Sequence, residues 1–204
     1  MPHLVDDADG QGRCWWGAEP EIYRSYHDLE WGRAVADDHR LFEKLCLEGF
    51  QAGLSWLMIL RKRDNFRRAF AGFDPVVVAG YRQSHVESLL ADTGIVRHRA
   101  KIESTINNAR RSLDLIAEHG SLASFFWGQH GQGSKPAPVE ILPTTEGSRV
   151  LAADLKRRGF TFVGPTTLYA FMQAMGLVND HLEGCLARVP CEEERRLLLE
   201  RFGG

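Results

Sequence analysis

From Glu19 onward the apolar residues recur mostly at helical spacing. Asp37 and Asp38 stand just ahead of Leu41, Phe42, Leu45 and Cys46, which share one helix face, and an aspartate there can cap the first turn. Gly49 and Gly53 then predict a break. Ser55 can cap a second helix through Trp56, Ile59 and Leu60 to Phe66 and Phe70. Ser84 and Glu87 have the spacing of a capping box ahead of Leu89 and Leu90. Ile102, Ile106 and Ala109, followed by Leu113 and Ile116, continue the i, i+3, i+4, i+7 pattern. No segment alternates convincingly, so the expected class is all-α. The stretch 128–143 holds three glycines with Pro136, Pro138 and Pro143, and reads as a loop.

The 204 residues fit one domain that can bury a core without disulfides. The expected division is a flexible tail at 1–12, a single helical domain at 13–187 with its loop at 128–143, and a divergent tail at 188–204. That last tail pairs Leu197, Leu198, Leu199 and Phe202 with many charges, in the manner of an amphipathic helix. No apolar run is long enough to span a bilayer. The first residues are acidic and lack the apolar core of a signal peptide. The expected location is the cytoplasm, with no membrane contact.

Charge changes the picture only locally. The formal net charge is −2, which argues mildly against a nucleic-acid ligand. The basic residues cluster, however: Arg61, Lys62, Arg63, Arg67 and Arg68; Arg97, His98, Arg99 and Lys101; Lys156, Arg157 and Arg158. Each cluster can equally be a solvated helix face.

Three constellations carry candidate chemistry. His181 and Cys185 lie four residues apart, which on a helix puts both on one face, with Asn179 or Asp180 as its cap. Cys14 and His27 offer a second pair, and two thiolates with two imidazoles make a tetrahedral zinc set. The spacing is not that of a zinc finger, so Cys185 as a core thiol and His181 as a surface histidine stay open. If the pairs meet, the site joins the first and last parts of the fold, has no open position and is structural.

The second constellation is the run 156–175, KRRGFTFVGPTTLYAFMQAM. A basic helix end meets Gly159, and Gly164 precedes Pro165 and a helix burying Leu168, Phe171, Met172 and Met175. Close backbone approach at the glycines, free N–H groups at the second helix start and the hydroxyls of Thr166 and Thr167 suit a phosphate. Such a grip positions DNA without reading its sequence. An ordinary helical hairpin in a core has the same pattern.

The third is 47–56, LEGFQAGLSW. Glu48 follows an apolar face, and a buried carboxylate needs a partner or a function. Trp56 lies just beyond, while Trp15, Trp16, Tyr26 and Trp31 crowd the N-terminal segment. Aromatic faces can hold a purine, a cationic one above all, although core packing accounts for such rings as well.

Taken in order, the motifs RCWW at 13–16, YHDLEWG at 26–32, LFEKLCLEGFQAGLSW at 41–56, FDP at 73–75, GIVRHRAKI at 94–102 and RGFTFVGPTTLYAFMQAMGLVNDHLEGC at 158–185 resemble the 3-methyladenine DNA glycosylase I family. The likeness covers most of the chain. It implies an all-α helix-hairpin-helix DNA glycosylase fold with one structural zinc per chain, held by Cys14, His27, His181 and Cys185. It implies excision of 3-methyladenine from double-stranded alkylated DNA by a monomer. Glu48 is implied as the carboxylate that binds the adenine edge and serves catalysis, with Tyr26, Trp16 and Trp56 around the base. Gly53 and Leu54 fall on the turn that enters the stack, and Gly159, Gly164, Thr166 and Thr167 on the phosphate grip. Asn179 falls where related glycosylases carry a catalytic aspartate, and a one-residue slip would promote Asp180. Two other readings remain at this point: a DNA-binding module without catalysis, and a zinc hydrolase using His27 and Asp28.

Overall fold

The computed structural model describes residues 3–6, 10–139 and 141–203. Ten helices build it: α1 (Glu21–Leu29), α2 (Asp38–Gln51), α3 (Trp56–Ala69), α4 (Pro75–Ala79), α5 (Gln83–Ala91), α6 (Arg99–His119), α7 (Leu122–His130), α8 (Glu146–Arg157), α9 (Pro165–Ala174) and α10 (Arg188–Phe202). The class is mainly helical, as the periodicity predicts. Among the described residues, no helix is long and apolar enough to cross a membrane.

Helix α2 is the axis. The Asp37 side chain accepts from the Arg40 amide at 2.9 Å and caps it. Asp38 turns to the start of α7 instead, accepting from the Ala123 amide at 3.1 Å. Every residue from Leu41 to Phe50 is buried, so α2 has core on all sides and packs against α3, α6, α7 and α9. Ser55 caps α3 through the Met58 amide. A chain of rings, Phe50, Phe66, Phe70 and Phe73, joins α2 to α3 and to the turn that follows it.

Several expectations are corrected. Gly49 does not end α2, which runs on to Gln51. A Cβ at Gly49 would sit 3.4 Å from that of Phe162, so the glycine makes room for a neighbouring turn. The cap of α5 is Arg82 with His85, not Ser84 with Glu87. The 128–143 loop begins later, because α7 continues to His130. Gly128 lies inside it and lets the backbone of Phe202 approach, 2.9 Å from where a Cβ would stand. Within the tail expected at 1–12, Leu4–Asp6 pairs antiparallel with Gly12–Cys14. Strands of three residues are too short for alternation to register. The described residues 4–6 are held because Leu4 packs beside Gly12 and Gly184.

The basic clusters are largely engaged within the fold. Arg63 pairs with Glu30 after α1, and Arg67 with Glu43 of α2. Lys62 donates to the carbonyls of Thr93 and Gly94, and Arg158 pairs with Glu118 and Asp154. Helix α10 packs on α7 and buries Cys191 and Arg195. Arg195 donates to the Leu177 carbonyl.

Gly176 links α9 to the segment after α1. Its φ is +77°, and a Cβ there would lie 2.8 Å from Ala34 Cα. Gly176→Ala should cost about 2–4 kcal/mol through strain and overlap, lowering Tm by roughly 5–15 °C. A thermal melt of the purified variant checks this.

Candidate functional site

Cys14, His27, His181 and Cys185 come together, all buried, with one ligand atom of each lying within 4.8 Å of the others. Cys14 arrives at the end of the second strand, His27 from the last turn of α1, and His181 and Cys185 from the segment between α9 and α10. The predicted helix over 181–185 is not formed. Those residues make a turn in which Asn179 Oδ1 accepts from the His181 amide and Gly184 takes φ +80°. The turn still brings both side chains to one point.

The sulfur–nitrogen separations are 3.4 Å for Cys185 to His181 Nδ1, 3.5 Å for Cys185 to His27 Nε2 and 3.8 Å for Cys14 to His181 Nδ1. Ligands at ordinary zinc bond lengths on a tetrahedron stand about 3.6 Å apart. The outer nitrogens are also satisfied: His27 Nδ1 meets Asp28 at 2.7 Å, and His181 Nε2 meets the Trp31 carbonyl at 3.0 Å. Arg13 holds Asp28 in turn. Such outer partners set the ring orientation for a metal. Asp28 is therefore spent on orienting His27 and does not join the ligand set. The Cys185 thiol is pushed down, first by the Cys14 hydrogen bond and then, against burial, by the two histidines.

The cluster supports the aromatic wall. Trp16 sits edge-on to His27, with centroids 5.2 Å apart, and Trp31 edge-on to His181 at 4.6 Å. Trp16 and Trp31 meet at 4.8 Å, and Tyr26 meets Trp56 at 5.5 Å. In front of them opens a cavity of about 300 Å³ lined by Trp16, Tyr26, Glu48 and Trp56, with Gln51 and Gln173. The candidate base-binding residues are thus assembled on one cavity. A wider groove, about 600 Å³, runs along α10 and shares none of these residues.

Glu48 is 5 % exposed, which a carboxylate tolerates only with a partner. The partner is one that the sequence reading missed. Lys44, one turn back on α2 and equally buried, places Nζ 2.7 Å from Glu48 Oε1 and 2.7 Å from the Tyr26 hydroxyl. The same nitrogen is 3.3 Å from the Trp56 ring centroid, a cation–π contact. Burial pushes the Lys44 ammonium down and Glu48 opposes it. Burial, then the Glu48 charge, push the Tyr26 phenol up. The i, i+4 spacing of Lys44 and Glu48 was visible in the sequence, but such pairs are usually exposed.

Gln173 was also missed. Its amide nitrogen donates to Asp180 at 2.7 Å, and the Tyr169 hydroxyl donates to the same oxygen, so the amide oxygen is the end free to accept. Asn179 donates to the Arg188 carbonyl and to Glu192. Neither Asn179 nor Asp180 lines the cavity.

Two turns flank this region. Gly53, exposed with φ +80°, and the half-buried Leu54 form the turn after α2. Gly159, Gly164, Thr166 and Thr167 lie on the turn from α8 into α9, with Gly159 at φ +85° and Gly164 at the N-cap position ahead of Pro165. One face of α6 holds both. Lys101 Nζ donates to the carbonyls of Phe50 and Ala52 at 2.8 and 2.6 Å, so it is buried and not part of an open basic patch. Asn108 accepts from the Thr161 amide and donates to its carbonyl, both at 2.9 Å. Asn107 donates to the Gly159 carbonyl.

Comparison with known proteins fits this arrangement. The family model described as methyladenine glycosylase matches residues 15–188. A DNA-3-methyladenine glycosylase 1 of Escherichia coli is 46 % identical over 177 residues, covering 85 % of this chain and 95 % of that protein. A crystal structure of a 3-methyladenine DNA glycosylase I superposes with TM-score 0.81 at 47 % identity, over 86 % of this chain and 99 % of that one. A variant of a 3-methyladenine DNA glycosylase I in complex with 3-methyladenine gives TM-score 0.80 at 34 % identity, over 86 % and 97 %.

Asn108→Ala removes two hydrogen bonds that fix the α8–α9 turn. It should cost about 1–3 kcal/mol and speed amide exchange at Thr161 more than in α2, which hydrogen-exchange mass spectrometry can read.

Proposed function

The chain belongs to the methyladenine glycosylase family, and from that premise we propose how it acts as a DNA-3-methyladenine glycosylase. The observation that carries the reading is the buried Glu48 on an aromatic-walled cavity of about 300 Å³, beside a turn that can enter a base stack.

Methylation at N3 makes the adenine cationic and weakens its bond to C1′. The base then leaves with the bonding electron pair as a neutral molecule and needs no general acid. Water supplies the oxygen that bonds C1′ and gives up its proton, leaving an abasic sugar. The protein's task is to find, extrude and hold the base. Extrusion costs a few kcal/mol and is easiest for damaged bases. Trp16, Tyr26 and Trp56 return roughly 1–3 kcal/mol per stacked contact. Lys44 engages one oxygen of Glu48, and the other accepts from the exocyclic amine of adenine. Guanine has a carbonyl at that position, which would leave the carboxylate unpaired at a penalty of about 1–3 kcal/mol. The negative charge also favours the oxocarbenium-like sugar.

We read α8, the 158–164 turn and α9 as the helix-hairpin-helix grip. Gly159 and Gly164 admit the backbone of double-stranded alkylated DNA, and the N-terminal N–H groups of α9, with Thr166 and Thr167, bind its phosphate. Gly53 and Leu54 fill the space the base leaves. Cys14, His27, His181 and Cys185 fit one zinc ion by donor type and spacing. With four protein ligands it would be structural, tying the N- and C-terminal segments together. The enzyme would work in the cytoplasm as a monomer.

The test is release of 3-methyladenine from methylated DNA by a zinc-loaded, folded preparation; no release rejects the reading. Glu48→Gln should lower single-turnover excision by roughly 10- to 100-fold with the melting curve intact, and full activity would remove Glu48 from the site. Cys185→Ala should lower zinc content from one per chain and cost on the order of 4 kcal/mol. Elemental analysis showing retained zinc would overturn the ligand set.

A further inference from the structure

Lys44 does not line the cavity, yet it touches three residues that do. Its ammonium donates to Glu48 and to the Tyr26 hydroxyl and lies over the Trp56 ring. One cation thus ties α1, α2 and the start of α3 together behind the cavity wall.

We propose that Lys44 is a positioning residue for base excision, which aims the Glu48 carboxylate into the cavity. The inference rests on the reading of Glu48 as the adenine-edge acceptor.

The charge balance around the pair supports it. Glu48 faces Lys44 from its own helix, and Tyr26 and Glu30 come from α1 and its end. Arg63 comes from α3 and is already committed to Glu30. Arg67 is committed to Glu43, and Lys101 of α6 to backbone carbonyls at the far end of α2. From α9 the cavity receives Gln173, which is neutral. Lys44 is therefore the cation in direct contact with Glu48. Without it the carboxylate would lose the contact that fixes one oxygen and leaves the other for the adenine amine.

Single-turnover excision from methylated DNA tests the proposal on Lys44→Met and Lys44→Gln. Gln keeps hydrogen-bond donors and lacks the charge, and serves if Met fails to fold. Each variant should be slower by about tenfold or more. Lys44→Arg should recover part of the loss. In a Glu48→Gln background, adding Lys44→Met should change the rate less than about twofold, since the group it acts on is gone. Folded Lys44 variants whose rates match the wild type's, while Glu48→Gln is impaired, would overturn this inference and leave the function standing. A Lys44 loss equally large in the Glu48→Gln background would overturn it too. Full activity in Glu48→Gln alone would overturn the role of Glu48 first, and that of Lys44 with it.

Discussion

Helix α2 carries Glu43, Lys44 and Glu48 through the centre of the protein, with core on every side. Charges in that setting demand partners, since a lone one would cost several kcal/mol. The answers to that demand organise the fold. Glu43 draws Arg67 in from α3. Lys44 and Glu48 answer each other and recruit Tyr26 and Trp56 around the ammonium. The open carbonyls at the end of α2 draw Lys101 from α6. An apolar α2 would pack as well or better. It would have no reason to gather a carboxylate, a phenol and an indole onto one cavity.

The second constraint lies between residues 14 and 185. Their shared cluster with His27 and His181 brings together the two ends of a loop that spans most of the chain. Its effect on the site is geometric. Trp16 leans on His27 and Trp31 on His181, so the two histidines form the base of the aromatic wall. The two constraints meet at Trp16 and Tyr26, whose rings lie 6.4 Å apart: one is braced by the cluster and the other by Lys44.

The helices were largely legible because their apolar period and caps are local signals: Asp37 and Ser55 cap where expected. The misreadings at Gly49, Gly128 and Leu4 share one cause. Gly49 and Gly128 look like helix breakers in sequence and are points of close approach in space, to Phe162 and Phe202. Leu4 owes its strand to Gly184, far along the chain. Cys14, His27, His181 and Cys185 could be picked out as residue types, while their meeting depends on the whole fold. Lys44 and Lys101 were hidden by the strong expectation that lysine faces water. Gln173 carries no signal at all without Asp180 and the cavity beside it.

Helix α6 supplies the remaining link between fold and chemistry. Its polar residues Lys101, Ser104, Thr105 and Asn108 follow a helical stripe. Lys101 holds the turn at Gly53 and Leu54. Ser104 and Asn108 hold the turn at Thr161, where the oxygens of Ser104 and Thr161 meet at 2.7 Å. Both turns are therefore referenced to one rigid element, at a separation set by the helix rise. Gly49, on α2, lies against Phe162 of the second turn, so the same framework includes the helix that carries Glu48. The cavity and the two turns therefore stand at a fixed offset, with no domain closure needed to align them. Preorganisation of that kind suits a reaction whose leaving group departs unaided, because what the protein can add is placement.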